Sequence, residues 1–276
     1  MNTGKATFLL STGRVSTQNI YNTILKSGFK GLVEHEPLRA RYNPRQTFRK
    51  PKMCAEIRQR DPAIAAKLDE IEALLDSGGR YCSIGWTTFT WATFLKWRFG
   101  DRVSFVGLVR NPYKVAASFL THDLFTGARQ DAMQRCGFIR GSDPRVIHRD
   151  LGQDWTDFSP FEKLLFHWLE ANTLIHESCQ AHDAPLYRFE DLYGEKSTAL
   201  PMMYHDLAGI HIPEPDEERD AYNFALDGDY DFTVRPELRA ACAALCLKLG
   251  YSKAFVKSAE AGLERLPEAY SKVRVA

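Results

Sequence analysis

The sequence has no uninterrupted apolar run of the ~18 residues that a membrane-spanning helix needs. The apolar run nearest the amino terminus covers only residues 6–10, with the single cation Lys5 before it. That pattern is too short for a signal peptide. We therefore expect a soluble, cytoplasmic protein with no membrane span.

An excess of charge of either sign is also missing. The chain has 36 Lys+Arg and 35 Asp+Glu, which leaves a net charge of +1. A uniformly basic protein that binds nucleic acid is therefore not expected, although local basic patches are compatible with this balance. Hydrophobic residues make up 44% of the 276 residues, and this composition predicts one globular domain over residues 1–276.

Cysteine pairs with the CxxC spacing of redox and zinc motifs are absent from the sequence, which contains six cysteines. Without a signal peptide these are expected to be reduced thiols. Cys242 and Cys246 stand one helical turn apart and could share a metal. Ala and Leu surround them, so we favour small core residues and expect no metal site.

Short apolar runs alternate with segments of helical spacing along most of the chain, as in an α/β protein with an open, mainly parallel sheet and flanking helices. The best strand is predicted at residues 103–109. Further strands are predicted at residues 6–10, 31–33, 80–84 and 185–189. Helices are predicted at residues 20–28, 61–78, 87–99 and 113–120.

The rest of the chain is predicted to be helical or irregular. Ser159, Pro160 and Glu162 form a strong helix start, because a capping Ser, a proline at the first position and a Glu at the third favour one. Residues 121–158 read as a long connection or a set of short helices. Helical additions are expected at residues 236–249 and 253–265, after an acidic stretch at 214–231.

The loop after the first predicted strand has the composition of an anion site. It reads Ser11, Thr12, Gly13, Arg14, Val15, Ser16 and Thr17. A loop between a strand and a helix presents backbone N–H groups and the positive end of the helix dipole to an anion. The triphosphatase pattern GxxxxGK[ST] is absent, and a plain capped turn is an equally good interpretation of this loop alone.

A second basic position follows the strand at residues 103–109. Arg110 ends that strand, and Ser118 comes eight residues later, about two helical turns on. A guanidinium at a strand end can hold a phosphate dianion, and a hydroxyl can add a further bond. Taken singly, each residue is better explained by an ion pair and an exposed helix face.

Together the two segments resemble the sulfotransferase family that uses 3′-phosphoadenosine 5′-phosphosulfate. Residues 8–17 resemble its 5′-phosphosulfate loop, and residues 108–118 resemble its 3′-phosphate motif. The triplet His35-Glu36-Pro37 is similar to the segment after the second strand in bacterial, carbohydrate-type members of this family. Residues 187–192 are similar to the family's Arg–aromatic–Glu–Asp–Leu stretch, which follows a late strand. The family commonly has Gly where this sequence has Ser16.

The resemblance implies a sulfotransferase architecture and the transfer of a sulfuryl group from this donor to an acceptor hydroxyl or amine. It implies that Arg14, Thr17 and the loop amides bind the 5′ side of the donor. Arg110 and Ser118 would bind the 3′-phosphate. No metal is required by this scheme.

An acceptor hydroxyl also needs a base that removes its proton. Glu36 is our first candidate, His35 the second and Glu34 the third. Because neighbouring side chains of a strand alternate in direction, Glu34 and Glu36 could face one way and His35 the other. A structural ion pair between one of these carboxylates and Arg14 is the competing interpretation.

The segment after these candidates is strongly basic, with Glu56 as its one acidic residue. It contains Arg39, Arg41, Arg45, Arg49, Lys50, Lys52, Arg58 and Arg60. It either lines the entrance for an anionic or polyhydroxyl acceptor or forms a solvated surface loop, and we favour the loop.

Three classes of function therefore remain open, with a sulfotransferase first. A P-loop kinase or other phosphotransferase shares the loop–helix geometry. A non-catalytic nucleotide-binding relative is conceivable because of Ser16. The acceptor is expected to be a glycan or small molecule, and neither its identity nor the oligomeric state follows from the sequence.

Overall fold

A computed structural model describes residues 4–128, 130–193, 197–211 and 230–271 of the protein. Its centre is a five-stranded sheet in the order β2-β3-β1-β4-β5, and every pair of neighbouring strands is parallel. The strands are β1 (Lys5–Ser11), β2 (Leu32–His35), β3 (Arg80–Ile84), β4 (Val103–Val109) and β5 (Leu186–Arg188). The predicted fold class, an α/β protein with an open parallel sheet, is confirmed.

Helices connect the strands and follow them. In the described part of the chain they are α1 (Thr17–Lys26), α2 (Pro44–Thr47), α3 (Pro51–Arg60), α4 (Pro62–Asp76), α5 (Ala92–Phe99), α6 (Pro112–Leu120), α7 (Ala132–Gly137), α8 (Arg149–Gly152), α9 (Pro160–Ala181), α10 (Phe189–Leu192), α11 (Ala199–Ala208), α12 (Pro236–Lys248), α13 (Lys253–Ala261) and α14 (Leu266–Ser271). Short 3₁₀ turns include Arg39–Tyr42 and Phe89–Trp91.

The sheet separates two clusters of buried side chains because alternate residues of a strand point to opposite faces. On β1, Phe8 and Leu10 belong to the larger cluster and Leu9 to the smaller one. Helices α6, α9 and α12 contribute to the larger cluster, whereas α1 and α11 contribute to the smaller one. Burial on both faces explains why β1 and β4 are near-continuous apolar runs.

Two helix starts follow the capping logic of the sequence. At α9 the Ser159 hydroxyl accepts from the Glu162 N–H at 3.2 Å, and the Glu162 carboxylate accepts from the Ser159 N–H at 3.1 Å. This capping box confirms the predicted start. The Asp61 carboxylate caps α4 by accepting from the Ala63 N–H at 2.9 Å.

The structure corrects the interpretation of residues 38–60 as a surface loop. This segment contains a 3₁₀ turn and the helices α2 and α3, with Tyr42, Phe48 and Cys54 buried in the larger cluster. Its apolar positions are spaced too irregularly for a helical period to be visible in the sequence. Most of the acidic stretch predicted at 214–231 lies outside the described residues.

The cysteines are free thiols, and Cys242 and Cys246 are buried in the larger cluster as predicted. Trp86, Trp91 and Trp168 are also core residues. Across the described ranges, no helix combines the length and the apolarity needed to cross a membrane. Over the same residues, no group of three or more His, Cys, Asp or Glu side chains is arranged to hold a metal ion.

Candidate anion-binding site

Because the strands are parallel, their carboxyl ends lie along one edge of the sheet, where ligands bind in open α/β folds. β1 ends at Ser11 and its neighbour β4 ends at Val109, with Ser11 paired to Leu108. The loop that follows β1 and the Arg110 that follows β4 are therefore adjacent. The predicted anion-binding segments meet in space although about 90 residues separate them.

The loop between β1 and α1 is packed tightly at Gly13. This glycine has a φ of +83°, and a Cβ atom there would lie 3.0 Å from the Trp86 ring and 3.3 Å from the Phe119 ring. Its N–H donates to the Ser11 hydroxyl at 3.3 Å, which in turn donates to the Gly85 carbonyl at 3.3 Å. A side chain at position 13 would push the loop away from the sheet edge.

The loop also contains two non-glycine residues in the left-handed backbone region. Arg14 has a φ of 58° and Ser16 a φ of 62°. Ser16 is the N-cap of α1, and its side chain makes no capping hydrogen bond. This conformation favours glycine, so the glycine that the sulfotransferase family commonly has at this position suits the backbone better than serine does.

Arg14, Arg110 and Ser118 form one connected cluster. The Arg14 Nε donates to the Ser118 hydroxyl at 2.8 Å, and the Arg110 guanidinium donates to the Arg14 carbonyl at 2.6 Å. Burial lowers the pKa of Arg14, and the nearby positive charge of Arg110 lowers it further. Two guanidinium groups thus lie side by side in a partly buried position.

Neither arginine has a carboxylate within 4.0 Å among the residues that the structure describes; Glu36 acts on Arg14 only at longer range. Like charges at close range repel, and burial weakens their hydration. An arrangement of this kind gains most from an anion held between the two groups. The site is therefore suited to a phosphate or sulfate ester.

The position of Arg110 is supported by the segment after β5. The Arg110 guanidinium lies over the Phe189 ring, with its Cζ atom 4.2 Å from the ring centroid. The Trp168 Nε1 donates to the Arg110 carbonyl at 3.0 Å. The Glu190 carboxylate accepts from the Asn111 N–H at 2.9 Å and from the Tyr251 hydroxyl at 2.6 Å. Phe189 and Glu190 thus hold the strand end that carries the arginine.

The sequence indicated this Arg–aromatic–Glu–Asp–Leu stretch only as a resemblance and gave no role for Phe189 or Glu190. Their partners are remote in the sequence, and only the pairing of β5 with β4 brings them together. Asp191 pairs with Arg188, whose Nε donates to it at 2.5 Å.

The three candidate bases occupy two different environments. The Glu34 carboxylate accepts from Lys67 Nζ at 2.8 Å and from the Tyr81 hydroxyl at 2.7 Å. It is engaged in a structural ion pair away from the loop. His35 and Glu36 instead lie next to each other, 3.8 Å apart between Nε2 and Oε1.

The suggestion that Glu34 and Glu36 share a face is wrong. β2 ends at His35, and Glu36 has a φ of 47°, which turns its side chain out of the strand alternation. Its N–H still donates to the Ile84 carbonyl at 3.0 Å, and Gly85 leaves room for its side chain, since a Cβ there would lie 3.2 Å from the Glu36 Cγ.

His35 and Glu36 also connect to the loop. The His35 Nε2 lies 3.1 Å from the Thr17 hydroxyl at the start of α1. Burial raises the pKa of Glu36, against the opposing charges of Arg39 and Arg14. Burial lowers the pKa of His35, and Arg39 adds to that effect. A carboxylate whose pKa is raised toward neutrality is a better proton acceptor than an ordinary one.

Tyr270 on α14 is a residue of the site that the sequence did not indicate. Its hydroxyl donates to the Lys114 carbonyl at 3.2 Å. Burial raises the pKa of Tyr270, whereas the charges of Arg110 and Arg14 lower it, so the phenol lies near both guanidinium groups. No motif surrounds it, because packing of α14 on α6 alone brings it there.

Comparison with protein-family models, with curated proteins and with solved structures finds no match to this chain.

Proposed function

We propose that the protein is a sulfotransferase that moves a sulfuryl group from 3′-phosphoadenosine 5′-phosphosulfate to a hydroxyl or amine of a carbohydrate or small-molecule acceptor. One observation carries the proposal. Arg14 and Arg110 lie together at the carboxyl edge of the sheet, joined by the hydrogen bond from the Arg110 guanidinium to the Arg14 carbonyl, with no carboxylate partner among the described residues.

The remaining support is the agreement of that cluster with the resemblance of residues 8–17 and 108–118 to the family's two donor-binding motifs. A loop lysine of the kind that P-loop kinases use is absent from residues 11–17. The kinase alternative is therefore kept only as an outcome of the test.

In this proposal the chain holds the two reactants in line and stabilises the charge that grows on the leaving phosphate. Arg14 and the amides of the loop bind the 5′ side of the donor. Arg110 and Ser118 bind the 3′-phosphate. The acceptor oxygen forms a bond to sulfur, the bond from sulfur to the bridging phosphate oxygen breaks, and 3′-phosphoadenosine 5′-phosphate leaves.

The proton of the acceptor passes to Glu36, the carboxylate nearest the loop. His35 lies between Glu36 and the Thr17 hydroxyl. We assign His35 a positioning role, since its Nε2 is engaged with the Thr17 hydroxyl at 3.1 Å. Comparing the variants Glu36→Gln and His35→Ala tests this division: sulfate transfer that is unaffected by Glu36→Gln excludes Glu36 as the base.

Calorimetry with 3′-phosphoadenosine 5′-phosphate, ADP and ATP tests the function. We expect the 3′-phosphorylated ligand to bind best and Arg110→Ala to weaken its binding about 10- to 100-fold, the loss typical of a charged hydrogen bond. Arg102→Ala is the matched control, because Arg102 precedes the same strand at the opposite edge of the sheet.

Tighter binding of ATP than of the 3′-phosphorylated ligand, or equal losses in the two arginine variants, would overturn the proposal. ATP binding that depends on magnesium would support a kinase instead. Donor binding without any transfer of labelled sulfate would support the non-catalytic relative.

A further inference from the structure

A cavity of about 360 Å³ lies between the first turn of α6 and the helices α13 and α14. This volume is within the range of about 300–1,000 Å³ that is usual for sites that bind small molecules. None of Arg14, Arg110 and Ser118, which form the cluster at the sheet edge, lines the cavity. The cavity is therefore a separate space that is large enough for a ligand.

Two sides of the cavity are fixed by contacts within the chain. On α6, the Asn111 side chain accepts from the N–H groups of Tyr113 and Lys114 at 2.9 and 3.2 Å, which fixes the first turn of the helix. On α13, the Phe255 ring stacks on the buried Tyr251, with 4.3 Å between the ring centroids. A cavity with fixed walls binds a ligand without the cost of ordering those walls.

Both charged side chains of the lining are cations. They are Lys114 on α6 and Arg265 in the 3₁₀ turn that follows α13, and no carboxylate of the described residues lines the cavity. Neither cation forms an ion pair within the described part of the chain. Two cations that line one space repel each other, and an anion held between them relieves that repulsion. The charge of the lining thus indicates a negatively charged ligand.

Tyr113 adds a hydroxyl that has no hydrogen-bond partner among the described residues. The residue lines the cavity and is only 3% exposed. A buried polar group without a partner is costly, and a hydrogen bond to a ligand removes that cost. Ser258 provides a second hydroxyl in the same lining. Both hydroxyls can donate to the oxygen atoms of an anion.

The rest of the lining is largely apolar, and this limits the kind of anion that fits. Phe255 and Leu266 supply the large side chains, and Ala259 and Ala261 supply small ones. Inorganic phosphate or sulfate would leave these side chains in contact with water, whereas an aryl or alkyl group would cover them. The lining is therefore suited to an organic anion.

We infer that this cavity is a second ligand-binding site, which takes a small organic anion with an aromatic or aliphatic body. The carboxylate, sulfate or phosphate group of the ligand binds Lys114 and Arg265 and accepts from the Tyr113 hydroxyl. The body of the ligand packs on Phe255 and Leu266. The inference goes beyond the proposed function and does not rest on it, because it uses none of the residues that bind the donor in that proposal.

Isothermal titration calorimetry of the full chain with 2-naphthalenesulfonate and with the neutral 2-naphthalenemethanol tests the inference. The two probes share their rings and differ in charge. We expect the sulfonate to bind at least tenfold more tightly than the alcohol, and Lys114→Gln and Arg265→Gln each to lower its affinity about five- to tenfold. Tyr113→Phe should lower the affinity about threefold without lowering the free energy of unfolding, because the hydroxyl has no partner among the described residues.

Lys257→Gln is the matched control. Lys257 is an exposed cation on α13 that does not line the cavity, so we expect its replacement to change the affinity for the sulfonate less than about twofold. Equal losses in Lys257→Gln and Lys114→Gln would indicate only general attraction of an anion, and they overturn the inference. Equal binding of the two probes overturns it as well.

Two further variants locate the bound sulfonate. Ala261→Phe keeps every charge and fills the cavity from an exposed position of its lining, so it should weaken binding at least tenfold. Arg110→Ala removes a charge of the candidate anion-binding site and should leave binding within about twofold. Unchanged binding in Ala261→Phe, or a loss in Arg110→Ala as large as that in Lys114→Gln, overturns the inference. Circular dichroism checks that the variants are folded.

Discussion

At the scale of single residues, the conformation of Ser16 bears on the proposed donor site. Its φ of 62° lies in the left-handed region, which favours glycine. Serine must adopt a backbone region that costs L-residues about 1–2 kcal/mol. Serine in place of glycine therefore changes the energy of the loop and leaves its path compatible with an anion.

Replacing Ser16 by glycine should accordingly stabilise the protein relative to replacing it by alanine. Both variants lose the hydroxyl, which makes no capping bond, and only glycine relieves the left-handed backbone. We expect the free energy of unfolding of Ser16→Gly to exceed that of Ser16→Ala by about 1 kcal/mol in urea denaturation. Equal stability of the two variants would show that the backbone at this position carries no strain.

At the scale of elements, the segment β5–α10 supports the end of β4 and thereby the proposed donor site. It holds the end of β4 through the bond between Glu190 and the Asn111 N–H, while Phe189 lies against the guanidinium of Arg110. The strand β5 has only three residues. This strand therefore adds little to the sheet, and its main effect is to help hold Arg110 in position.

Glu190→Ala should weaken binding of 3′-phosphoadenosine 5′-phosphate about five- to tenfold, the cost of about one hydrogen bond that positions the site. Tyr251→Phe is its control. Both variants lose the bond between the Tyr251 hydroxyl and Glu190, and only Glu190→Ala also releases the Asn111 N–H.

Calorimetry on the two variants decides whether the bond to the strand end matters. Equal affinities would show that Glu190 serves the packing of Tyr251 and does not position Arg110. A loss confined to Glu190→Ala would support the positioning role.

Capping residues and regular apolar spacing in the sequence predicted several elements correctly. The limits of β3 and β4 and the start of α9 agree with the prediction. Helices α2, α3, α10, α11 and α14 were not predicted. They are short, and their buried positions are chosen by the surfaces on which they pack more than by a period in the sequence.

At the scale of the whole molecule, the core contains a histidine that cannot take up a proton without losing stability. His167 is fully buried, and its Nδ1 accepts from the Ile139 N–H at 3.0 Å. Burial lowers the pKa of His167 to about 3. Between pH 6.5 and pH 3 the unfolded chain therefore binds a proton at this residue that the folded chain does not.

This difference predicts that stability falls as the pH falls below the unfolded pKa of about 6.5. From pH 7 to pH 5 the contribution of His167 is a loss of about 2 kcal/mol in the free energy of unfolding. His167→Gln keeps an acceptor oxygen and does not titrate. Urea denaturation should show a pH dependence smaller by about that amount in the variant, and identical pH dependences would contradict the assignment.

The sequence by itself determined the fold class and the position of the two segments proposed to bind an anion, because strand runs, capping residues and the residues of a loop are local features of the chain. It also identified His35 and Glu36 as residues near that loop. It ranked Glu36 ahead of Glu34 but allowed the two side chains to share a face, because it extended the alternation of the strand past His35, where β2 ends.

Only the tertiary structure decided which of these residues meet. The order of strands places the loop after β1 beside Arg110. Packing of α14 brings Tyr270 to the same site, and long-range ion pairs neutralise some cations of residues 38–60. These contacts join residues far apart in the chain, and their energies depend on the burial and distance that folding creates.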